Sequence, residues 1–342
     1  MSWSVIEKIA EDVGVSPQTV HRILSNGIKD TRPTFINRGA RIRKLAEKLN
    51  YRPNTAATAI RTGRFSNIGL ILGKTKFSSN INQDLFDGIQ DGIEEHDMNL
   101  LSSRIDELKL GDPEHVPNFF RTLSCDGLII NYHSMMPDSL KSILERSKLP
   151  KVWINIERAR DTVRPDDFNG SANLTRALLS RKHRKIAYID FKWFHSLNLN
   201  QQHYSKRHRR AGYEKAMGES GLSPRFLSDE GISTTLQAAD RIRDMLKGKD
   251  RPTAIITYGD SWIQVERICQ QLGIKVPGEL VTATFASELN AASLHPMPCA
   301  VIPEREMGRK AVDMLVAKIE KPGRTFPAIP LPFKLILNCL ED

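Results

Sequence analysis

At 342 residues the chain exceeds one ordinary core, so two or three compact units are expected. Its hydrophobic fraction of 40% and charged fraction of 26% are those of a soluble globular protein. No apolar run approaches the roughly 20 residues that span a bilayer, which argues against a helical membrane protein. The net charge of +10 is unevenly spread: residues 1–65 hold 12 Lys and Arg against 5 Asp and Glu, a surplus of +7, leaving +3 for the remainder. A basic head on a near-neutral body is the electrostatic footprint of nucleic-acid binding. The first residues lack the apolar stretch of a secretory signal. Cys125, Cys269, Cys299 and Cys339 form no CxxC pair, so reduced thiols in a cytoplasm are expected, with no metal and no cofactor.

The apolar positions Ile9, Val13, Val15, Val20 and Ile23 predict two short helices. Ala10 is small where the helices must approach, and Gly14 sits where the chain must turn sharply, a task for a residue free to take positive φ. Ser16-Pro17 restarts the helix with a hydroxyl N-cap and a proline at the first helical position. The second helix, Pro17 to about Leu24, is expected to expose Gln18, His21 and Arg22. Gln pairs bidentately with adenine and Arg with guanine in the major groove, so such a face reads sequence. A third helix is predicted from Phe35 to Leu49, with Ile42, Leu45, Ala46 and Leu49 inward. Its basic residues, Arg38, Arg41, Arg43, Lys44 and Lys48, are read mainly as a solvated face with one or two within reach of phosphates.

The runs Val13-Gly-Val-Ser-Pro-Gln-Thr-Val-His-Arg22, Leu49-Asn-Tyr-Arg-Pro-Asn54, Ala56-Ala57 and Ile60-Arg-Thr-Gly-Arg64 resemble the head of the lac and galactose repressor family. The resemblance implies a helix-turn-helix DNA-binding domain at residues 1–51 that contacts DNA through Ser16, Pro17, Gln18, Thr19, His21 and Arg22. It also implies a hinge helix and linker at 52–65, formed when two subunits lie together on an operator. Asn54, Ala57 and Ile60 would contact DNA there, with Ile60 as an apolar wedge between base pairs in the minor groove. Two departures stand out: His21 replaces the usual serine before the arginine, and the loop from Asn26 to Asn37 is longer than usual.

Beyond Arg64 the pattern alternates. β-rich runs fall at Asn67–Leu72, Gly127–Ile130, Val152–Ile156, Ile186–Ile189, Ala254–Thr257 and Leu280–Phe285, with helical segments between them. Alternation of this kind predicts parallel sheets covered on both faces, and one sheet would be unusually wide. The resemblance implies two similar α/β lobes of periplasmic-binding-protein type, each doubly wound, within an effector-binding and dimerisation domain at 66–342. Lobe 1 is placed at about 66–166 and 298–325, and lobe 2 at about 167–297 and 326–342, with crossings near Asp166, Met297 and Phe326. Family landmarks continue through Cys125-Asp-Gly-Leu-Ile-Ile, Asp166-Asp-Phe-Asn-Gly170, Arg209-Arg-Ala-Gly-Tyr213, Leu272-Gly-Ile-Lys-Val-Pro277 and Met307-Gly-Arg-Lys-Ala311.

Catalytic motifs do not accumulate. Gly69-Leu-Ile-Leu-Gly-Lys-Thr75 has three residues between its glycines where a phosphate loop needs four, and they form an apolar strand. His183, His195, His203 and His208 lack ligand-pair spacing, and there is no G-x-S-x-G elbow. Enzyme activity is not expected. A small-molecule effector is expected between the lobes, at the carboxyl ends of strands. Matching to the family nominates Asn82, His133, Asn155, Arg209 and Asp260 as effector-binding residues. The family's aspartate pair is missing at Phe285-Ala-Ser287, and the usual aromatic after the first strand is replaced by Ile81-Asn82. The segment from Asp190 to Arg210 is long, aromatic and basic, so an effector with an anionic group, or one stacking on Trp193 or Phe194, is favoured over a plain neutral sugar. These residues predict a dimeric or higher-order repressor on a pseudo-palindromic double-stranded DNA operator, with no membrane partner. An activator or dual regulator remains open; a solute-binding protein or sugar-processing enzyme is a remote alternative.

Overall fold

The computed structural model describes residues 2–26, 33–51, 63–74, 78–106, 109–111, 120, 122, 124–132, 136–191, 203–228, 230–232, 234–287 and 297–337. They divide into two compact units: residues 1–67 with 124–126, and residues 68–123 with 127–342. Each is described by itself.

In the first unit, α1 (Ser2–Val13), α2 (Pro17–Asn26) and α3 (Pro33–Lys48) close on a small apolar core. Ile6, Ile9, Ala10, Val20, Ile23, Ile42 and Ala46 form its buried centre, with Val13, Val15, Leu45 and Leu49 packed around it. Ala10 is 4% exposed, so the predicted small residue does sit at a close approach. Gly14 has φ +68°, and Val15 N donates to Ala10 O at 3.0 Å, which closes the end of α1 in the left-handed turn that glycine adopts without strain. Fully burying a side chain such as Ile9 is worth roughly 1.5–3 kcal/mol, so a core this small depends on each member.

The second unit alternates strand and helix from β1 (Asn67–Gly73) through α4 (Gln83–Glu95), β2 (Asn99–Ile105), β3 (Gly127–Asn131), α5 (Asp138–Arg146), β4 (Lys151–Ile154) and β5 (Thr162–Pro165). It continues with α6 (Asp167–Ser180), β6 (Ile186–Ile189), α7 (Tyr204–Glu219), β7 (Phe226–Leu227), α8 (Thr235–Lys247), β8 (Ala254–Thr257) and α9 (Ser261–Leu272). Last come β9 (Val281–Ala286), β10 (Cys299–Val301), α10 (Glu304–Glu320), β11 (Ile329–Leu331) and β12 (Lys334–Ile336). Two six-stranded sheets result, ordered β11-β5-β4-β3-β1-β2 and β12-β10-β9-β8-β6-β7. Burial in the second sheet alternates along each strand: Ala187, Ile189 and Ile255 enter one core, while Ile186, Tyr188, Ala254 and Ile256 enter the core on the opposite face.

The sheets fix where the chain changes lobe. The first crossing follows β5 at Asp166, which caps α6 by accepting from Asn169 N at 3.3 Å. The second and third differ from the expected Met297 and Phe326. β10 pairs with β9 and β12, so the chain stays in lobe 2 until Ile302-Pro303. β11 pairs with β5, so it stays in lobe 1 until after Leu331. Lobe 1 therefore keeps residues 304–331, because α10 packs on α4 and along β3, β4 and β5. That helix pair is close: a Cβ at Gly308 would lie 2.6 Å from the Leu85 carbonyl oxygen, and one at Gly88 would collide with the Arg305 carbonyl.

Candidate functional sites in the head helix and the interlobe cleft

The head presents its polar face through local rules. Ser16 Oγ accepts from Thr19 N at 3.2 Å, which caps α2, and lies 2.9 Å from Thr19 Oγ1. With Val20 and Ile23 buried, helical periodicity leaves Gln18 and Arg22 exposed, with Pro17, Thr19 and His21 half-buried beside them. The Arg22 guanidinium lies 6.0 Å from the centroid of the Phe35 ring on α3. Arg41 is committed differently, donating to the Asp12 carbonyl at 3.0 Å. Two exposed side chains, a glutamine and an arginine one helical turn apart, therefore share one face of α2 over the three-helix core. Asn54, Ala57 and Ile60 lie outside the described residues.

In the body, the carboxyl ends of strands from both sheets converge. Asn82 stands at the N-terminus of α4, its Oδ1 accepting from Leu85 N at 3.0 Å. Its Nδ2 reaches the other lobe, donating to Ser287 Oγ at 2.7 Å just past β9, and also donates to Glu304 Oε2. Asn155, with φ 57°, follows β4. Its Oδ1 accepts from Tyr204 Oη at 2.9 Å, and its carbonyl lies 3.0 Å from His203 Nε2. A few residues on, Glu157 contacts Arg207 at 2.5 Å and His208 at 2.9 Å. Burial opposes the charge of Glu157, but the hydrogen bond and charge of Arg207, with His208 on the other oxygen, outweigh it and hold its carboxyl below the usual range.

Arg209 is buried at 7% exposure. Its Nε donates to Asp167 Oδ1 at 2.7 Å, and its guanidinium lies 4.5 Å from the Phe285 ring centroid, 5.1 Å from Tyr258 and 5.7 Å from Phe333. Burial works against its charge, yet the Asp167 carboxylate more than restores it, so Arg209 is protonated more firmly than a free arginine. A second buried pair, Lys206 and Asp190, lies 3.7 Å apart. Asp167 Oδ2, Ser171 Oγ and Tyr188 Oη are buried with no hydrogen-bond partner among the described residues. Groups of that kind cost roughly 1–3 kcal/mol each until something polar meets them.

Of the nominated cleft residues, Asn82, Asn155 and Arg209 are brought to this junction. Asp260 stands just past β8 at the start of α9, exposed and without a side-chain cap. His133, Trp193, Phe194 and His195 lie outside the described residues. The histidines, which lacked metal-ligand spacing in the sequence, make other contacts: His203 meets Ser205 and Asn155, His208 meets Glu157, and His183 lies 3.1 Å from Thr253 Oγ1. Sequence reasoning missed Asp167, Tyr204, Tyr258 and Glu304. Asp167 stood inside a quoted family landmark, so a search for the carboxylate that must neutralise a buried arginine would have found it.

Residues 175–337 match the model of a periplasmic binding protein-like domain. The HTH-type transcriptional regulator GntR of Escherichia coli K12 is 25% identical over 336 residues, covering 97% of this chain and 96% of that protein. The ribose operon repressor of Haemophilus influenzae is 25% identical over 350 residues, covering 98% of both. Among solved structures, the lac repressor bound to ONPG aligns with TM-score 0.68 at 17% identity, over 96% of this chain and 97% of that one. The lac repressor dimer bound to operator and the anti-inducer ONPF aligns with TM-score 0.67 at 17% identity, over 96% of both chains. The two-lobed fold read from the strand alternation is therefore the lac repressor fold.

Proposed function

We propose that this chain is a transcription regulator of the lac and galactose repressor family, a repressor whose paired heads read a pseudo-palindromic operator under the control of a small molecule held between its lobes. It is a sequence-specific DNA-binding regulator rather than an enzyme, as its relatives are. The observation that carries the reading is the joining, in one chain, of α2 with Gln18 and Arg22 exposed to a two-lobed body whose polar groups converge at strand carboxyl ends. Gln18, His21 and Arg22 are assigned to base edges, and Ser16, Pro17 and Thr19 to the approach to the backbone. Asn54, Ala57 and Ile60 are assigned to the hinge, with Ile60 as the wedge.

A second copy of the chain is the proposed partner. Leu236 and Ile263 are 69% and 49% exposed on the packed helices α8 and α9, which supports an apolar contact between lobes of like kind. A cytoplasmic setting agrees with the absence, among the described residues, of any helix long and apolar enough to cross a membrane. The effector is assigned to the cleft beside Arg209, Asn82 and Asn155. The lac repressor structures carry ONPG or ONPF, and a carbohydrate-like ligand is the corresponding proposal for this chain.

Operator selection from random DNA followed by fluorescence anisotropy tests the reading. Arg22→Ala is expected to cost about 1–3 kcal/mol on the selected site and to relax base choice at one position. Equal loss on selected and random DNA would reduce Arg22 to a phosphate contact.

A further inference from the structure

Glu304 is the first residue of α10, immediately after the crossing at Ile302-Pro303. A carboxylate in a first helical turn is favoured by the helix dipole, but the dipole calls neither for burial nor for partners on another lobe. Glu304 has both. It is 8% exposed, Asn82 Nδ2 donates to its Oε2, and Ser287 of lobe 2 hydrogen-bonds the same carboxylate. Burial pushes its carboxyl above the ordinary glutamate range, and the Arg209 guanidinium is near enough to pull the other way. It has no ion-pair partner among the described residues.

The surrounding charges change what this cleft can select. Arg209 is already met by Asp167, and Lys206 by Asp190. The charge of each is thus already compensated by a carboxylate, and Glu304 adds an acidic group to the same junction. β9 itself ends in Phe285-Ala286-Ser287, with no carboxylate. Glu304 arrives at Ser287 from the other side.

We propose that Glu304 supplies, from the start of α10, the carboxylate that grips effector hydroxyls at the end of β9, and that it selects a hydroxyl-rich, uncharged ligand. The inference rests on the reading of the cleft as the effector site, and it replaces the anionic ligand class that the sequence favoured. An ionised carboxylate has about four acceptor positions, of which Asn82 and Ser287 occupy two. The remaining lone pairs accept ligand O–H groups as charge-assisted bonds, stronger than neutral ones. Because Asn82 and Glu304 belong to lobe 1 and Ser287 to lobe 2, a ligand held there touches the seam whose closure it would control.

The test compares wild type, Glu304→Gln and the double variant Ala286→Asp/Glu304→Gln by thermal shift and calorimetry. The probes are D-ribose, D-glucose, D-galactose, D-fructose and sorbitol, with inorganic phosphate and citrate as anionic comparators. A neutral polyol is expected to bind wild type, to bind Glu304→Gln about 10- to 100-fold more weakly, and to regain most of its affinity in the double variant. The amide keeps the shape and a carbonyl acceptor, so the unliganded melting temperature serves as the check on folding. A polyol bound equally by wild type and Glu304→Gln overturns the assignment, as does binding of the anions in place of every neutral polyol. Operator affinity separates the two readings. A ligand that shifts it yet ignores Glu304→Gln leaves effector control standing and removes Glu304; a polyol held through Glu304 that leaves operator affinity unchanged does the reverse.

Discussion

Replacing Arg209 alone should injure the body far more than the loss of an effector contact would. Asp167 is fully buried and Arg209 nearly so, with side-chain exposures of 0% and 8% across a 2.7 Å bond. Breaking a buried pair by removing one partner costs about 3–5 kcal/mol, because the other charge stays behind without compensation. In a domain of this size each kcal/mol moves the melting temperature by roughly 2–4 °C, so Arg209→Met should melt roughly 6–20 °C below wild type. Asp167→Asn should fall by a comparable amount. The neutral pair Asp167→Asn/Arg209→Met should recover most of the loss, since exchanging a whole buried pair for neutral groups is often close to neutral. Calorimetric melting and urea titration of the four proteins complete the cycle. Strict additivity of the single variants would refute the reasoning. The practical consequence is that an effector response lost in Arg209→Ala is interpretable only beside the Asp167 double variant.

Three further outcomes are expected. Ile60→Gly should weaken operator binding and abolish duplex bending in a permuted-site gel assay; undiminished bending would remove the wedge. Gly308→Ala should cost about 1–3 kcal/mol in urea titration, since the new methyl meets the Leu85 carbonyl at 2.6 Å and backbone cannot swing aside; an unchanged midpoint would mean that α4 and α10 pack less closely. Glu304 has a raised folded pKa, so its contribution is complete at low pH and lost as pH rises from the ordinary glutamate range through the raised value. Glu304→Gln should flatten that part of the stability profile, and parallel profiles would show the carboxyl to be solvated.

What the sequence disclosed was local. Ala10, Gly14 and the Ser16-Pro17 restart act within a few residues of themselves, so their spacing carries their role. The strand alternation showed two lobes for the same reason, each run being long enough to display its pattern. β10 and β11 are three residues each, too short for any period, and without their pairing the second and third crossings were placed early, at Met297 and Phe326. Arg209 was legible by resemblance, but Asp167, 42 residues away, was not, because nothing in a local pattern says which carboxylate will face a given arginine. Glu304 was hidden more thoroughly. As an acidic residue opening a helix it resembles an ordinary dipole partner, and only its bonds to Asn82 and Ser287 distinguish it.

Those bonds bear on how an effector could act at all. A ligand moves a two-state equilibrium only by the difference between its affinities for the two states. The chain itself already spans the seam: Asn82 to Ser287, Glu304 to Ser287, Tyr204 to Asn155, and Glu157 to Arg207 and His208. A ligand that merely reproduced these links would bind the present arrangement and displace partners of similar strength, gaining little difference. Leverage must come from groups that the protein leaves unsatisfied. The spare acceptor positions of Glu304 are such groups; Ser171 Oγ, Tyr188 Oη and Asp167 Oδ2 are unsatisfied as well, but they are sealed inside lobe 2. A hydroxylated ligand that met Glu304 would gain bonds that no ligand-free closure supplies. The outer clasp at Glu157 works in the opposite sense: its pairs are surface-exposed, worth about 0–1 kcal/mol each, so it can bias the lobes without fixing them. Loosening it by Glu157→Gln should therefore change the ligand concentration needed for a half response, measured on labelled operator, while leaving the saturated response in place. A saturated response that collapsed instead would make the clasp part of the signal rather than its bias.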